Sequence, residues 1–557
     1  MKRIFYLVIV VLGFLSISIS SYGESSQNNG KLAVLMVFDQ FRGDYLTKWK
    51  EHSNAGGFKK LLEEGVVFEN CHYPYAGTIT GAGHATLGTG VTPSVHGIVG
   101  NDWFDRKESK SVYCAASPRY MPVPPMKDAS EKEKKKGAGN PERMLAPTLG
   151  DALKKATNNQ GKVVSLSFKD RSAVLPAGFS PDYCFWFDSG VGGFQTSNYY
   201  QSSFPKWVKE FNESGFVNQW KGKAWEKFKP SLDYANIAGP DDQQGEGLGK
   251  GQGKSFPHPF GKTQADYFEA LYNSPFGNEV LFELMKKAVV AEKLGQTDSK
   301  DFLSISFSSN DPVGHTWGPD SQEVFDTTLR TDDLLNRLIA FLDEKVGRKN
   351  YTIVISADHG ICPIPEVSKN KGVDAGRVNT DLLGKELENE LAAKFGKSGS
   401  KGKYVESFTN GFVYFNKAVL SEKSIKLDDI IDFSKGWVKK QKGIADAFAV
   451  NDFANSKQSE SSLLTQIALS YHPDRCGDLY VLLKPYYVPG NYLTGTTHGS
   501  PHKYDTHVPL VVFGGGVKPG LYKEKVAPTL AAAILAKFLE IPNPEKCQLE
   551  VPSFIWQ

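Results

Sequence analysis

Short apolar runs alternate along this chain with longer stretches of helical spacing. Five runs stand out: KLAVLMVF before Asp39, KVVSLSF before Lys169, FLSISFSS ahead of Asp311, YTIVISA before Asp358, and VPLVVFGGG after His507. Each is short, rich in β-branched residues and apolar on both faces, which predicts strands buried in a parallel sheet. Between them, SQEVFDTTLRTDDLLNRLIAFLDEKVG places Val324, Leu329, Leu334, Leu335 and Leu338 on one face, the pattern of an amphipathic helix. The alternation predicts an α/β fold: a doubly wound, mostly parallel central sheet with helices on both faces.

Three regions break this rhythm. EKEKKKGAGNPE, from Glu131 to Glu142, reads as a charged, solvated loop. The aromatic and Gly-rich stretch at about 183–262 reads as an insertion over the strand ends, and about 363–486, which contains DLYVLLKPYYV, reads as a smaller cap. GLGKGQGKS ends like a phosphate-binding loop, but Leu248 stands where its first glycine belongs and no apolar strand precedes it, so a mobile loop is the better reading.

The N-terminus changes the picture. Met1, Lys2 and Arg3 precede IFYLVIVVLGFL and then SSYG, the order of an export signal, with cleavage expected after Gly23 and a retained membrane anchor as the alternative. The reading is therefore a signal peptide at 1–23 and a catalytic domain at 24–557, exported to the periplasm or secreted, with no stable anchor after cleavage. The first cysteine is Cys71, which excludes lipidation near the start.

Composition adds bounds. A chain of 557 residues with 40% hydrophobic and 23% charged residues supports a large core, as one domain with insertions or as two domains. The formal charge of +3 falls to about +1 once Lys2 and Arg3 are removed, which implies no nucleic-acid-binding surface. In an oxidising compartment the six cysteines permit up to three disulfides, and no CxxC pair exists to make a cysteine zinc site.

The polar residues of interest follow strand ends, where open α/β sheets place their ligands. Asp39 follows the first strand, Asp311 and His315 lie in a DPVGH turn after the third, Asp358 and His359 are adjacent in ADHG, and His498 sits in GTTHGS. Three carboxylates and three imidazoles suit two metal ions that share a substrate.

FDQFRGDYL, GTITGAGHATLGTG, SVHGIVGNDWF, FKDR, SNDPVGHTWGP, SADHG and GTTHGSPHKYDTHVPL follow one another across nearly the whole mature chain. In this order they resemble the PafA-type zinc-dependent alkaline phosphatases, relatives of the nucleotide pyrophosphatase/phosphodiesterases. The resemblance implies hydrolysis of phosphate monoesters through a phosphothreonine, with two zinc ions per chain: one on Asp311, His315 and His498, the other on Asp39, Asp358 and His359. It implies Thr80 as nucleophile, four residues before the histidine of GTITGAGH, and Asn101, Lys169 and Arg171 as phosphate contacts. The expected partners are small phosphate monoesters; the oligomeric state is not readable. Of the other histidines, His84 reads as support or packing, His96 as a turn, and His502 and His507 as candidate supports of His498.

Three rivals remain in view. A phosphodiesterase or nucleotide pyrophosphatase on the same fold lacks a use for Lys169 and Arg171. A sulfatase needs a CxPxR cysteine where this chain has Thr80. A non-catalytic binding protein would be expected to have lost ligands that are all present.

Overall fold

The computed structural model describes residues 30–125, 137–453, 462–490 and 492–556; the expected signal segment and the first part of the Glu131–Glu142 loop lie outside them. The main strands are β1 (Leu32–Phe38), β2 (Val66–Phe68), β3 (Pro122–Val123), β4 (Val163–Ser167), β5 (Tyr183–Asp188), β6 (Gly193–Ser197), β7 (Asp301–Phe307) and β8 (Tyr351–Ser356). A smaller sheet uses β9 (Val405–Thr409), β10 (Phe412–Phe415), β11 (Ile444–Ala449) and β12 (Leu479–Leu483), after which β13 (Leu510–Gly514) and β14 (Gly520–Tyr522) return to the main one. The helices that matter here are α1 (Thr80–Thr89), α2 (Asp170–Ala177), α3 (Gln264–Tyr272), α4 (Asn310–Trp317) and α5 (Gln322–Lys345).

Among the described residues the main sheet has ten strands in the order β14-β2-β13-β8-β1-β7-β4-β5-β6-β3. Its centre, β8-β1-β7-β4, is parallel, and every residue of β1, β7, β8 and β4 is buried. Burial on both faces is what the continuous apolar runs require. Four adjacent parallel strands therefore end side by side, and the residues just past them converge.

Two expectations are corrected. VPLVVFGGG forms β13, which runs antiparallel to β8 and β2, because the long connection through the smaller sheet brings the chain back beside β8 in the opposite direction. The stretch from Tyr183 does not begin as an irregular insertion: β5 pairs parallel with β4, and β6 turns back antiparallel on β5. YCFWFD and GFQTS are buried on both faces as members of the sheet, and the irregular part begins after Ser197.

α5 buries Val324, Leu329, Leu334, Leu335 and Leu338, and its first turn is capped by the Ser321 hydroxyl, which accepts from Val324 N–H. The smaller sheet, ordered β9-β10-β12-β11, has its own core of Leu387, Leu391, Phe415, Ile430 and Val481. A second cluster joins it to the main body, with Phe412, Tyr414 and Tyr480 packed among Ala85, Trp103 and Val174.

All six cysteines are free and buried, against the expectation that disulfides could form. Cys71 packs in the main core, and Cys114, Cys184 and Cys476 in the joining cluster. They serve as small apolar side chains. No helix among the described residues is long and apolar enough to cross a membrane.

Candidate metal and phosphate site

The strand ends supply the site. Asp39 directly follows β1, and Asp358 and His359 follow β8; all three are fully buried. After β7 the chain does not make the expected DPVGH turn but enters α4, which sets Asp311 and His315 one turn apart on one face. His498 arrives on the loop between β12 and β13.

Three groups of ligand atoms each lie within 4.8 Å of one another: Asp311, His315 and His498; Asp39, Asp311 and His359; and Asp39, His84 and Asp358. His359 Nε2 lies 3.7 Å from Asp39 Oδ1 and 3.4 Å from Asp358 Oδ2. The His359 and His498 rings stack at 3.5 Å. Backbone carbonyls turn the imidazoles inward: Nδ1 of His315 is bonded to Thr496 O at 2.7 Å, that of His498 to Thr78 O at 2.8 Å, and that of His359 to Gly360 O at 2.9 Å. Each Nε2 is left facing the carboxylates, the arrangement of a histidine prepared for a metal.

The charge balance fits divalent cations. Asp39, Asp311 and Asp358 are buried together against one ammonium, that of Lys169, 2.7 Å from Asp39 and 2.6 Å from Asp311. Burial, then Asp358, pushes the Asp39 carboxyl well above the usual range, with Lys169 pulling the other way. Burial also works against ionisation of Asp311, but Lys169 and His315 outweigh it and hold that carboxyl well below the range. Burial pushes His498 and His359 down, toward the neutral imidazole that binds metals. Asp39 Oδ1 and Asp358 Oδ2 are buried and accept no well-formed hydrogen bond. Oxygen and nitrogen donors with unspent negative charge are what a divalent cation needs.

Thr80 is the first residue of α1, and its hydroxyl lies 3.3 Å from His359 Nε2. The hydroxyl of Thr78 is directed elsewhere, donating to Ser500 O at 2.9 Å. Glycine lets α1 press on the strand end: a Cβ at Gly83 would lie 2.2 Å from the Asp358 carbonyl oxygen. The Asn101 carboxamide oxygen accepts from Gly81 N–H at 2.8 Å, which leaves its NH2 group for a ligand oxygen.

At the start of α2, Lys169 is buried and Arg171 half-buried. Asp170 does not pair with Lys169; it accepts from Arg171 N–H at 2.7 Å and from the Tyr113 hydroxyl, and Arg171 Nη1 in turn reaches Tyr113 Oη at 3.4 Å. The cations are thus built in rather than solvated.

Sequence reasoning undervalued three residues. Gln40, in a left-handed conformation at φ 61°, donates from its backbone to Asp358 Oδ1 at 3.0 Å and from Nε2 to Asp311 Oδ1 at 2.8 Å, linking two strand ends. His84 Nδ1 bonds Thr80 O at 2.9 Å and lies 3.2 Å from Asp358 Oδ2, while its Nε2 bonds Ser306 Oγ. Tyr272 stands beside Lys169 and Arg171. Adjacency to Asp39 was the available signal for Gln40, and helical spacing from Thr80 for His84; Tyr272 had none. His502 and His507 bond Leu483 O and Glu69 O, not His498, so they do not support it as expected. His96 closes a short helix rather than a simple turn, and bonds Thr86 Oγ1.

Carboxylate and imidazole donors at the ends of a doubly wound sheet, facing a helix-terminal threonine, define the metal-dependent phosphoester hydrolases of the alkaline phosphatase superfamily. Residues 33–507 match the family described as Type I phosphodiesterase / nucleotide pyrophosphatase. The chain belongs to this family, on its PafA-type alkaline phosphatase branch. It is 34% identical over 91% of its length to Alkaline phosphatase PafA of Elizabethkingia meningoseptica, covering 92% of that protein. The figures for Alkaline phosphatase PhoV of Synechococcus elongatus are 34%, 90% and 90%. A Myroides odoratus protein named Calcium-transporting ATPase is 34% identical over 92% of each chain. The crystal structure of wild-type alkaline phosphatase PafA superposes with a TM-score of 0.87 at 32% identity, over 95% of this chain and 99% of that one.

Proposed function

We propose that this chain hydrolyses phosphate monoesters to alcohol and inorganic phosphate, with Thr80 as nucleophile and two zinc ions as cofactors. The enzyme is an alkaline phosphatase, a phosphoric monoester hydrolase. Asp311, His315 and His498 would hold one ion, and Asp39, Asp358 and His359 the other. When bound, the metals supply Lewis acidity that favours the Thr80 alkoxide, charge on the leaving oxygen and an activated water.

The chain's own residues do the rest. Thr80 Oγ1 attacks phosphorus in line, the P–O bond to the alcohol breaks, and a phosphothreonine forms; water then attacks phosphorus from the vacated side and returns Thr80. The start of α1 places the helix's positive end beside the developing charge. Asn101, Lys169 and Arg171 hold the non-bridging oxygens, Arg171 through a planar fork and Lys169 as a point charge.

The placement of Lys169, buried, and Arg171, half-buried, carries the choice of a monoester, since two cations held in place by the fold meet the second negative charge that a diester lacks. The test compares kcat/KM for para-nitrophenyl phosphate with its bis and methyl diesters, with and without chelator. A chelator-sensitive monoester preference is expected; a diester preference would move the chain to the phosphodiesterase reading.

The catalytic domain is proposed to span 24–557, with its insertions starting after Ser197 and at about 363. Export after removal of 1–23 is part of the same proposal and places small external phosphate esters as substrates.

A further inference from the structure

A cavity of about 460 Å³ opens on Asp311 and His315. If Thr80 attacks in line, the alcohol departs on the side away from it, toward the Asp311, His315 and His498 group. The space in front of Asp311 and His315 is then where the rest of the ester lies, and this volume is within the range of small-molecule sites.

Its walls are built, and they set polar groups among apolar surface from Leu248, Tyr272, Pro312 and Tyr492. One is the Gly-rich loop that the sequence offered as a decoy and as a mobile segment. Gln252, buried, donates to Asn273 O at 3.0 Å and accepts from Asn273 Nδ2 at 2.8 Å; Gly247 N–H donates to Thr316 O at 2.7 Å, and Trp317 Nε1 to Gly253 O at 3.1 Å. Gly249 and Gly251, at φ 55° and 77°, turn the loop so that Lys250 stands at its tip. Opposite, Glu269 and Tyr272 lie three residues apart on one face of α3, with Thr494 at the rim.

Lys250 Nζ and Glu269 Oε2 are 3.8 Å apart, each side chain about half exposed. At that separation neither is saturated, so the pair offers donors and acceptors together while remaining neutral as a unit. Such a pair suits neighbouring hydroxyl groups, which both donate and accept. A second phosphate would meet the Glu269 charge, and a purely apolar alcohol would desolvate both groups without return. The Tyr272 ring adds a flat face for the carbon skeleton.

We propose that this cavity is the alcohol subsite and that it takes polyhydroxylated alcohols, so that sugar-phosphate-like monoesters are the preferred class, with Lys250 and Glu269 as specificity-determining contacts. This rests on the monoesterase reading above.

The test uses two primary alkyl esters of similar leaving ability, ethyl phosphate and a hexose 6-phosphate, on the metal-loaded full enzyme. Wild type should favour the hexose ester by ~10-fold or more in kcat/KM, the size of one or two good polar contacts. Lys250→Ala and Glu269→Ala should each lower that preference by ~5–10-fold, mainly through KM, because the contacts are made equally before and in the transition state. Thr494→Trp, at an exposed rim position, should narrow the cavity and lower the preference as well. Equal values for the two esters in wild type, or a preference that survives all three variants, overturns the assignment. Hydrolysis of neither these esters nor para-nitrophenyl phosphate would instead sink the monoesterase reading, and the subsite with it.

Discussion

The carboxamide of Asn410 occupies the place that a side chain on Gly100 would take: a Cβ there would lie 2.2 Å from Asn410 Nδ2. Asn410 is at the tip of the β9–β10 hairpin, in the left-handed pair Asn410-Gly411, and donates to Asp102 O at 2.7 Å. The smaller sheet therefore grips the backbone on both sides of Asn101. Gly100→Ala should push the hairpin tip away and loosen Asn101, lowering monoester kcat/KM by ~10-fold, as misplacement of a positioning group does, with little loss of metal. Metal analysis beside steady-state kinetics checks this; unchanged kinetics would show that the hairpin does not position Asn101.

Thr80→Ala should reduce turnover by about 10³-fold or more, since it removes the attacking oxygen. Metal content should persist, because six side chains other than Thr80 are assigned to hold the ions. Loss of the metal together with activity would count against Thr80 as primarily the nucleophile.

Arg171→Ala should cost roughly 10–150-fold in monoester kcat/KM, the worth of a charged hydrogen bond of about 1.5–3 kcal/mol. Diester hydrolysis should fall much less, because the second negative charge is missing. Parallel losses on both esters would remove the stated basis for monoester selection.

Gln40→Leu deletes the 2.8 Å bond to Asp311 while keeping the backbone bond to Asp358. The expected result is ~10–100-fold weaker metal binding, the usual cost of losing an outer partner of a metal ligand. Competition with a fluorescent chelator measures it; unaltered affinity would leave Gln40 a purely structural link.

Metal removal should lower the melting temperature as well as activity. Asp39, Asp311 and Asp358 are buried against the single Lys169 ammonium, so a cation that binds only the folded state adds its binding free energy to stability. Thermal unfolding with and without chelator, then with metal restored, checks this; a Tm insensitive to both would place the metal outside this cluster.

The sequence by itself determined the central strands and the nature of the site. Runs such as LAVLMVF are apolar on both faces, and only a strand covered on both sides buries them, so Asp39, Lys169 and Asp358 were legible as residues at strand ends. Helical spacing likewise identified α5. Tertiary structure alone decided what depends on distant pairing. The direction of β13 follows from its partner rather than its composition, and β5 and β6 join the sheet despite their aromatic, Gly-rich sequence. The glycines of the decoy loop carry no sign of the Gln252–Asn273 bonds that fix it, and Tyr272 reaches Lys169 and Arg171 from a segment more than a hundred residues along the chain. Periodicity records which face of an element is buried; which element lies on the other side of that face is set by packing between segments far apart in sequence, and no local pattern encodes it.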